Sequence, residues 1–216
     1  MGEVNSIALL LLFNFMTTSK TPKKQPVKKR IVIFASGSGT NTQNLIEYFQ
    51  QGNFAEVVLV LSNKMDAKVL VRSKSLLVPS KYFTKEELFS SEMVLGFIKE
   101  AKADLIVLAG FLLKFPTTIL SEYPKQVINL HPALLPKYGG KGMYGHYVHE
   151  AVVANKEEET GITIHYVNEN YDEGAIIFQK SVKLSENDTP ETVAHKIHKL
   201  EYKYFPKVVA EILSSK

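Results

Sequence analysis

From Ile31 onward, apolar runs of four or five residues alternate with longer stretches of helical periodicity, and this alternation constrains the fold more than any other feature. Residues 31–35 (IVIFA), 57–61 (VVLVL), 105–109 (LIVLA) and 127–130 (VINL) show almost no exchange of polar for apolar positions. A strand with one wet face alternates, whereas a continuous apolar run needs cover on both faces, as at the centre of a parallel sheet. Between these runs, residues 41–51, 67–76 and 85–101 repeat apolar positions at helical spacing, Leu45, Ile46 and Phe49 among them. The pattern predicts an α/β fold built on a single doubly wound, mostly parallel sheet.

Further along, residues 162–167 and 175–184 read as strands joined by the short turn 168–174, so an antiparallel hairpin extends the sheet. The chain closes on a long helix. Thr189 caps it, Pro190 presets its first turn, Glu191 suits its positive end, and Val193, Ile197, Leu200, Val208 and Ile212 form its apolar face. The 216 residues have room for one domain with a full core, read here as residues 30–216 behind an extension of residues 1–29.

That extension accounts for the basic charge. Lys20, Lys23, Lys24, Lys28, Lys29 and Arg30 stand against Glu3 alone, a balance of +5, and the formal +4 of the whole chain leaves −1 for residues 31–216. A nearly neutral domain gives no support to a nucleic-acid-binding surface. The apolar run at residues 7–15 is too short to span a bilayer, with no Lys or Arg ahead of it and no small-x-small cleavage pattern behind it. The expectation is a cytoplasmic chain without a membrane partner, its leader a disordered, solvated extension arising from translation that starts upstream of Met16. With no cysteine, neither a disulfide framework nor a thiolate nucleophile or metal ligand is available. Nothing in the sequence sets an oligomeric state.

Three segments could carry chemistry. The first strand runs into Ser36-Gly37-Ser38-Gly39-Thr40-Asn41 and straight into a helix, an arrangement that suits a phosphate through unpaired backbone N–H groups. It is neither a dinucleotide fingerprint nor a P-loop, since the third glycine and the lysine are missing. A glycine-rich turn that only connects strand and helix would read the same way. In the second segment, Asn129-Leu130-His131-Pro132, the period of two puts Asn129 and His131 on one side of a strand that Pro132 ends, at a carboxyl edge where open sheets bind ligands. An amide donor beside a group titrating near neutral pH can stabilise an oxyanion and move a proton, or simply satisfy loop carbonyls. The third is Tyr171-Asp172-Glu173-Gly174, whose Asp and Gly suit turn geometry as well as catalysis.

Taken together, GSGTN after the first strand, AGF at residues 109–111, NLHPALLP from Asn129 and YDEG around Asp172 resemble the phosphoribosylglycinamide formyltransferase family in order and spacing. The resemblance runs from about residue 30 to the end. It implies the formyltransferase type of sheet, with Asn129, His131 and Asp172 as the catalytic set. It also implies that Gly39, Thr40 and Asn41 hold the substrate phosphate and Glu201 contacts the ribose side. For the folate it implies a pocket of Leu112, Leu113, Lys114 and Phe115 with Asn129 and with Asn168, Glu169, Asn170, Tyr171 and Asp172. Lys85 stands near the folate where the family usually has an arginine, a point charge in place of a forked donor. Thr42 replaces a usual leucine, and residues 139–146 form a longer stretch than in many relatives. His149, spaced helically with Val152 and Val153, reads as partly buried scaffold.

By the same resemblance the donor is 10-formyltetrahydrofolate and the acceptor phosphoribosylglycinamide, with no metal and no ATP. Asn129 and a protonated His131 would stabilise the oxygen that gains charge, each well-placed donor worth about 3 kcal/mol. Asp172 would keep His131 cationic and help carry the amine proton, through water, to the leaving nitrogen. Methionyl-tRNA formyltransferases share the Asn-x-His-Pro core but add a C-terminal tRNA domain, and formyltetrahydrofolate hydrolases carry a regulatory domain ahead of the catalytic one. Another formyltransferase, a hydrolase and a silent phosphate- or folate-binding module are the rival readings.

Overall fold

A computed structural model describes residues 27–215. Its seven strands are β1 (Lys29–Phe34), β2 (Ala55–Ser62), β3 (Ser80–Tyr82), β4 (Leu105–Leu108), β5 (Val127–His131), β6 (Glu159–Tyr166) and β7 (Ile176–Lys183). They form one sheet in the order β3-β2-β1-β4-β5-β6-β7. The first five run parallel; β6 lies antiparallel to both β5 and β7. The helices are α1 (Thr40–Gln50), α2 (Lys68–Ser75), α3 (Lys85–Phe89), α4 (Met93–Glu100), α5 (Thr117–Glu122), α6 (His146–Ala154) and α7 (Pro190–Ser214).

Double winding follows from the period of two inside each apolar run. On β1 and at its end, Ile31, Ile33 and then Ala35 face one layer, where Leu45, Ile46 and Phe49 of α1 and Ile197, Phe205 and Val209 of α7 cover them. Val32 and Phe34 face the other, under Leu88, Val94, Ile98 and Ile119 of α3, α4 and α5. Ile31, Val32, Ile33 and Phe34 have no exposed surface, and burying a side chain of this size contributes roughly 1.5–3 kcal/mol. Thr189 caps α7 as expected, accepting from the Thr192 N–H at 3.4 Å with Pro190 at its first position.

The helix expected over residues 85–101 is two. Thr84 and Glu87 form a capping box that starts α3, which stops at Ser90, and the Ser91 hydroxyl then takes the Met93 N–H at the start of α4. Local side-chain bonds to the backbone outcompete a continuous helix here. Two elements carried too weak a pattern to be read, β3, three residues on the sheet edge, and the short helix α5; the helical spacing of His149, Val152 and Val153 belongs to α6. β1 begins at Lys29, one residue before the expected start of the domain, and of the proposed leader residues 1–26 lie outside the described residues. Among the described residues no helix is long and apolar enough to cross a membrane.

Candidate active site

A cleft of about 560 Å³ opens along the carboxyl edge of β1, β4 and β5. Its wall divides by the two faces of the sheet. On the α1 and α7 face it holds Gly37, Ser38, Gly39, Thr40 and Asn41 with His149, His198 and Glu201. On the opposite face it holds Phe111, Leu113, Phe115 and Val167, and Leu112, Lys114, Asn168, Asn170 and Tyr171 also line it. Asn129, His131, His165 and Asp172 belong to the same wall.

The glycine loop is shaped by its neighbours. Gly39 sits at φ 74°, in the left-handed region, and a β-carbon there would collide with Val69 of α2, so only glycine fits. The N–H groups of Thr40, Asn41 and Thr42 open α1 without a partner one turn back, a site suited to an anion. Arg72 braces the loop by donating to the Ser38 carbonyl at 2.8 Å. Behind it, Asn41 donates to Glu201 Oε2 at 2.9 Å and His198 pairs with the same oxygen at 2.8 Å. That bond raises the His198 pKa above its ordinary value, against the effect of burial.

At the other end, Phe111 and Phe115 meet Phe34 edge-on, with ring centroids 5.3 and 5.1 Å away, and anchor an apolar segment beside the cleft. The buried Ser36 hydroxyl joins the two ends, accepting from the Leu112 N–H at 3.0 Å while donating to Asn63.

Between them, Asn129 and His131 project from β5 on the face away from Ile128 and Leu130, as the period of two requires. The turn after β6 brings Asp172 back over β5. Its Oδ2 lies 3.5 Å from His131 Nδ1 and accepts from the Gly140 N–H at 2.9 Å; its Oδ1 accepts from Asn129 Nδ2 at 3.3 Å. Two backbone features hold this turn. Asp172 has φ 58°, which Asp and Asn tolerate, and Gly174 passes so close to the Tyr166 carbonyl that a β-carbon would strike it.

His131 is buried, and its Nε2–H donates to the Tyr138 carbonyl at 2.8 Å. A second proton on Nδ1 would face Asp172, so both nitrogens look at acceptors and the geometry suits an imidazolium. Burial works the other way and brings the His131 pKa below 6.5, with Asp172 and the Tyr138 carbonyl opposing. The pull expected of Asp172 is present but outweighed by desolvation. For Asp172 burial raises the pKa, yet contact with His165, the charge of His131 and the Gly140 N–H together hold it below the usual carboxylate value.

His165, to which the sequence reading gave no role, stands opposite Asn129 on β6. Its Nδ1–H donates to the Tyr166 carbonyl at 2.8 Å, and its Nε2 lies between Asn129 Nδ2 at 3.1 Å and Asp172 Oδ1 at 3.5 Å, which holds the amide beside the carboxylate. The signal was a histidine inside the apolar run ITIHY. His149 was read as scaffold; it is buried and also part of the wall. The loop at residues 140–145 joins the wall as well, with Gly140, Gly142 and Gly145 at positive φ. Of the residues assigned to the folate by resemblance, Leu112, Leu113, Lys114, Phe115, Asn129, Asn168, Asn170, Tyr171 and Asp172 line the cleft. Lys85, at the start of α3, and Glu169 do not. Among the described residues no group of three or more His, Asp or Glu side chains is arranged to hold a metal ion.

The sequence pattern of the formyl transferase family matches residues 29–209. The chain is 37% identical over 195 residues to a chloroplastic phosphoribosylglycinamide formyltransferase of Arabidopsis thaliana, covering 87% of this chain and 66% of that one. It is 34% identical over 191 residues to the phosphoribosylglycinamide formyltransferase of Bacillus subtilis, covering 86% of this chain and 95% of the other. The crystal structure of phosphoribosylglycinamide formyltransferase from Bacillus halodurans superposes with a TM-score of 0.78 at 35% identity, covering 86% of this chain and 96% of that chain.

Proposed function

The chain belongs to the formyl transferase family, and on that footing we propose that its cleft transfers the formyl group of 10-formyltetrahydrofolate to the amine of 5'-phosphoribosylglycinamide, giving formylglycinamide ribonucleotide and tetrahydrofolate. The observation that carries this reading is the meeting of Asn129, His131 and Asp172 between a glycine loop suited to phosphate and an apolar segment suited to a flat ring. The relatives named for this reaction support it. In this reading residues 30–216 are the catalytic domain, the reaction is cytoplasmic, and neither metal nor ATP takes part.

The folate supplies the activated formyl group; the chain supplies position and charge. The N–H groups that open α1, with Gly39, Thr40 and Asn41, hold the phosphate, and Glu201 meets the sugar. Phe111, Leu112, Leu113, Phe115 and Val167 cover the ring, and backbone groups of residues 168–172 meet its polar edge. The substrate amine attacks the formyl carbon, a new C–N bond forms, and the formyl oxygen gains negative charge. Asn129 Nδ2 and His131 Nδ1 stabilise that oxygen; their present contacts to Asp172 are long, 3.3 and 3.5 Å, so each can redirect that one N–H toward it while His165 keeps its own contact with the amide. As the bond from carbon to the folate nitrogen breaks, Asp172 passes the proton lost by the amine, through water, to that nitrogen.

The test is direct. Purified protein is incubated with 10-formyltetrahydrofolate and candidate amines while tetrahydrofolate release is followed. Turnover with phosphoribosylglycinamide and none with a methionyl-tRNA acceptor is expected. Release without any acceptor would make the protein a hydrolase, and no release with any amine would leave a binding module.

A further inference from the structure

His149 projects from α6 into the wall of the cleft, only 4% exposed, and among the described residues its Nδ1 has no hydrogen-bond partner. Asn41 Oδ1, in the same wall, is also buried without one. An orphaned polar atom of this kind costs about 1–3 kcal/mol unless something pairs it. Both are tied to Glu201, which accepts from Asn41 and acts on His149 through its charge; the hydrogen bonds from Asn41 and His198 both fall on Oε2, leaving Oε1 for a ligand.

The charges choose the ligand group. Burial holds the His149 pKa down, to about 4, against the pull of the Glu201 carboxylate, so the imidazole is neutral near pH 7 and brings no charge to an anion. The carboxylate itself repels phosphate, which has the start of α1 to go to. What fits an uncharged imidazole and a carboxylate oxygen side by side is a pair of neutral hydroxyls: one donates to Glu201, and its neighbour pairs with the ring, which can donate or accept.

We propose that His149 is a specificity residue whose imidazole hydrogen-bonds a sugar hydroxyl held against Glu201, so that the cleft distinguishes a ribosyl from a deoxyribosyl substrate. The inference rests on the proposed function, since it takes the acceptor to be a ribose phosphate. A site built to pair a hydroxyl discriminates strongly against the analogue that lacks it, because its own polar groups are then stranded. α6 delivers His149 to this position by packing against α7, the helix that carries Glu201.

The experiment is calorimetric binding, without folate, of phosphoribosylglycinamide and of its 2'-deoxy and 3'-deoxy counterparts to wild type, His149→Leu and His149→Asn, beside a thermal melt of each. Leu keeps the bulk without the nitrogen, and Asn places a polar atom close to Nδ1. Wild type should prefer the ribosyl compound to one deoxy analogue by about tenfold or more, the worth of one hydrogen bond. In His149→Leu that ratio should collapse while affinity for the deoxy compound holds, and His149→Asn should recover part of it. A residue that only fills space would weaken all three ligands alike. Unchanged ratios in a folded His149→Leu protein overturn the proposal; if that variant does not fold, unchanged ratios in His149→Asn together with His149→Gln do so. Failure of wild type to bind phosphoribosylglycinamide at all would instead remove the proposed function, and this inference with it.

Discussion

Asp172 Oδ2 lies 3.5 Å from His131 Nδ1, and the same oxygen accepts the Gly140 N–H at 2.9 Å. One carboxylate thus faces the histidine of β5 and pins the loop at residues 140–145 that borders the cleft. Replacing Asp172 with Asn keeps an acceptor for Gly140 and suits φ 58°, so the turn should survive. The lost charge should appear in kcat, by about 100-fold or more, with a small change in KM, because the interaction strengthens as the formyl oxygen gains charge. Steady-state kinetics beside a thermal melt checks this; near-normal kcat in a stable Asp172→Asn protein would return the residue to the scaffold.

The same variant should move the pH profile. In the wild type the carboxylate raises the His131 pKa and burial lowers it. Removing the carboxylate leaves only the Tyr138 carbonyl against burial, so the proton is lost at a lower pH. If cationic His131 is the active form, the limb on which kcat falls as pH rises should shift toward acid in Asp172→Asn. A limb in the same place, measured with matched buffers, would assign it to another group.

Acid should destabilise the fold through His149. Its pKa is about 4 in the folded chain against 6.5 as the ordinary value, so the unfolded chain binds the proton more tightly. Stability is therefore full above pH 6.5 and lost as pH falls toward 4, by roughly 3 kcal/mol at most. His131, also lowered, adds in the same direction. His149→Leu should flatten part of the fall in Tm between pH 6.5 and 4; a slope identical to wild type would show that the imidazole is not held neutral.

Gly39→Val tests the phosphate loop and carries a cost the sequence did not reveal. The new β-carbon would meet Val69 and sit at φ 74°, so a loss of stability of about 1–3 kcal/mol is expected alongside weaker ribose-phosphate binding. Folate affinity should hardly change, since that end of the cleft is built from residues after β4 and β6. Binding isotherms for both ligands and a melt decide it. Equal losses for the two ligands would mean that the sheet edge as a whole is damaged.

The sequence by itself determined the sheet and the residues of its carboxyl edge. Apolar runs such as IVIFA and VINL have one physical solution, a strand covered on both faces, and the period of two alone puts Asn129 and His131 on the same side of β5. The glycine loop was legible because φ 74° at Gly39 admits few other residues. What only the tertiary structure decided are the meetings across chain distance. His165 reaches Asn129 through a strand register, His149 enters the wall because α6 packs on α7, and Lys85 stays out of the wall although the resemblance implied a place near the folate. No local pattern encodes those positions, since each depends on how one element packs against another far away in sequence. The protonation of His131 was undecidable for the same reason: its sign depends on how much water the fold removes, and that is a property of the packed molecule.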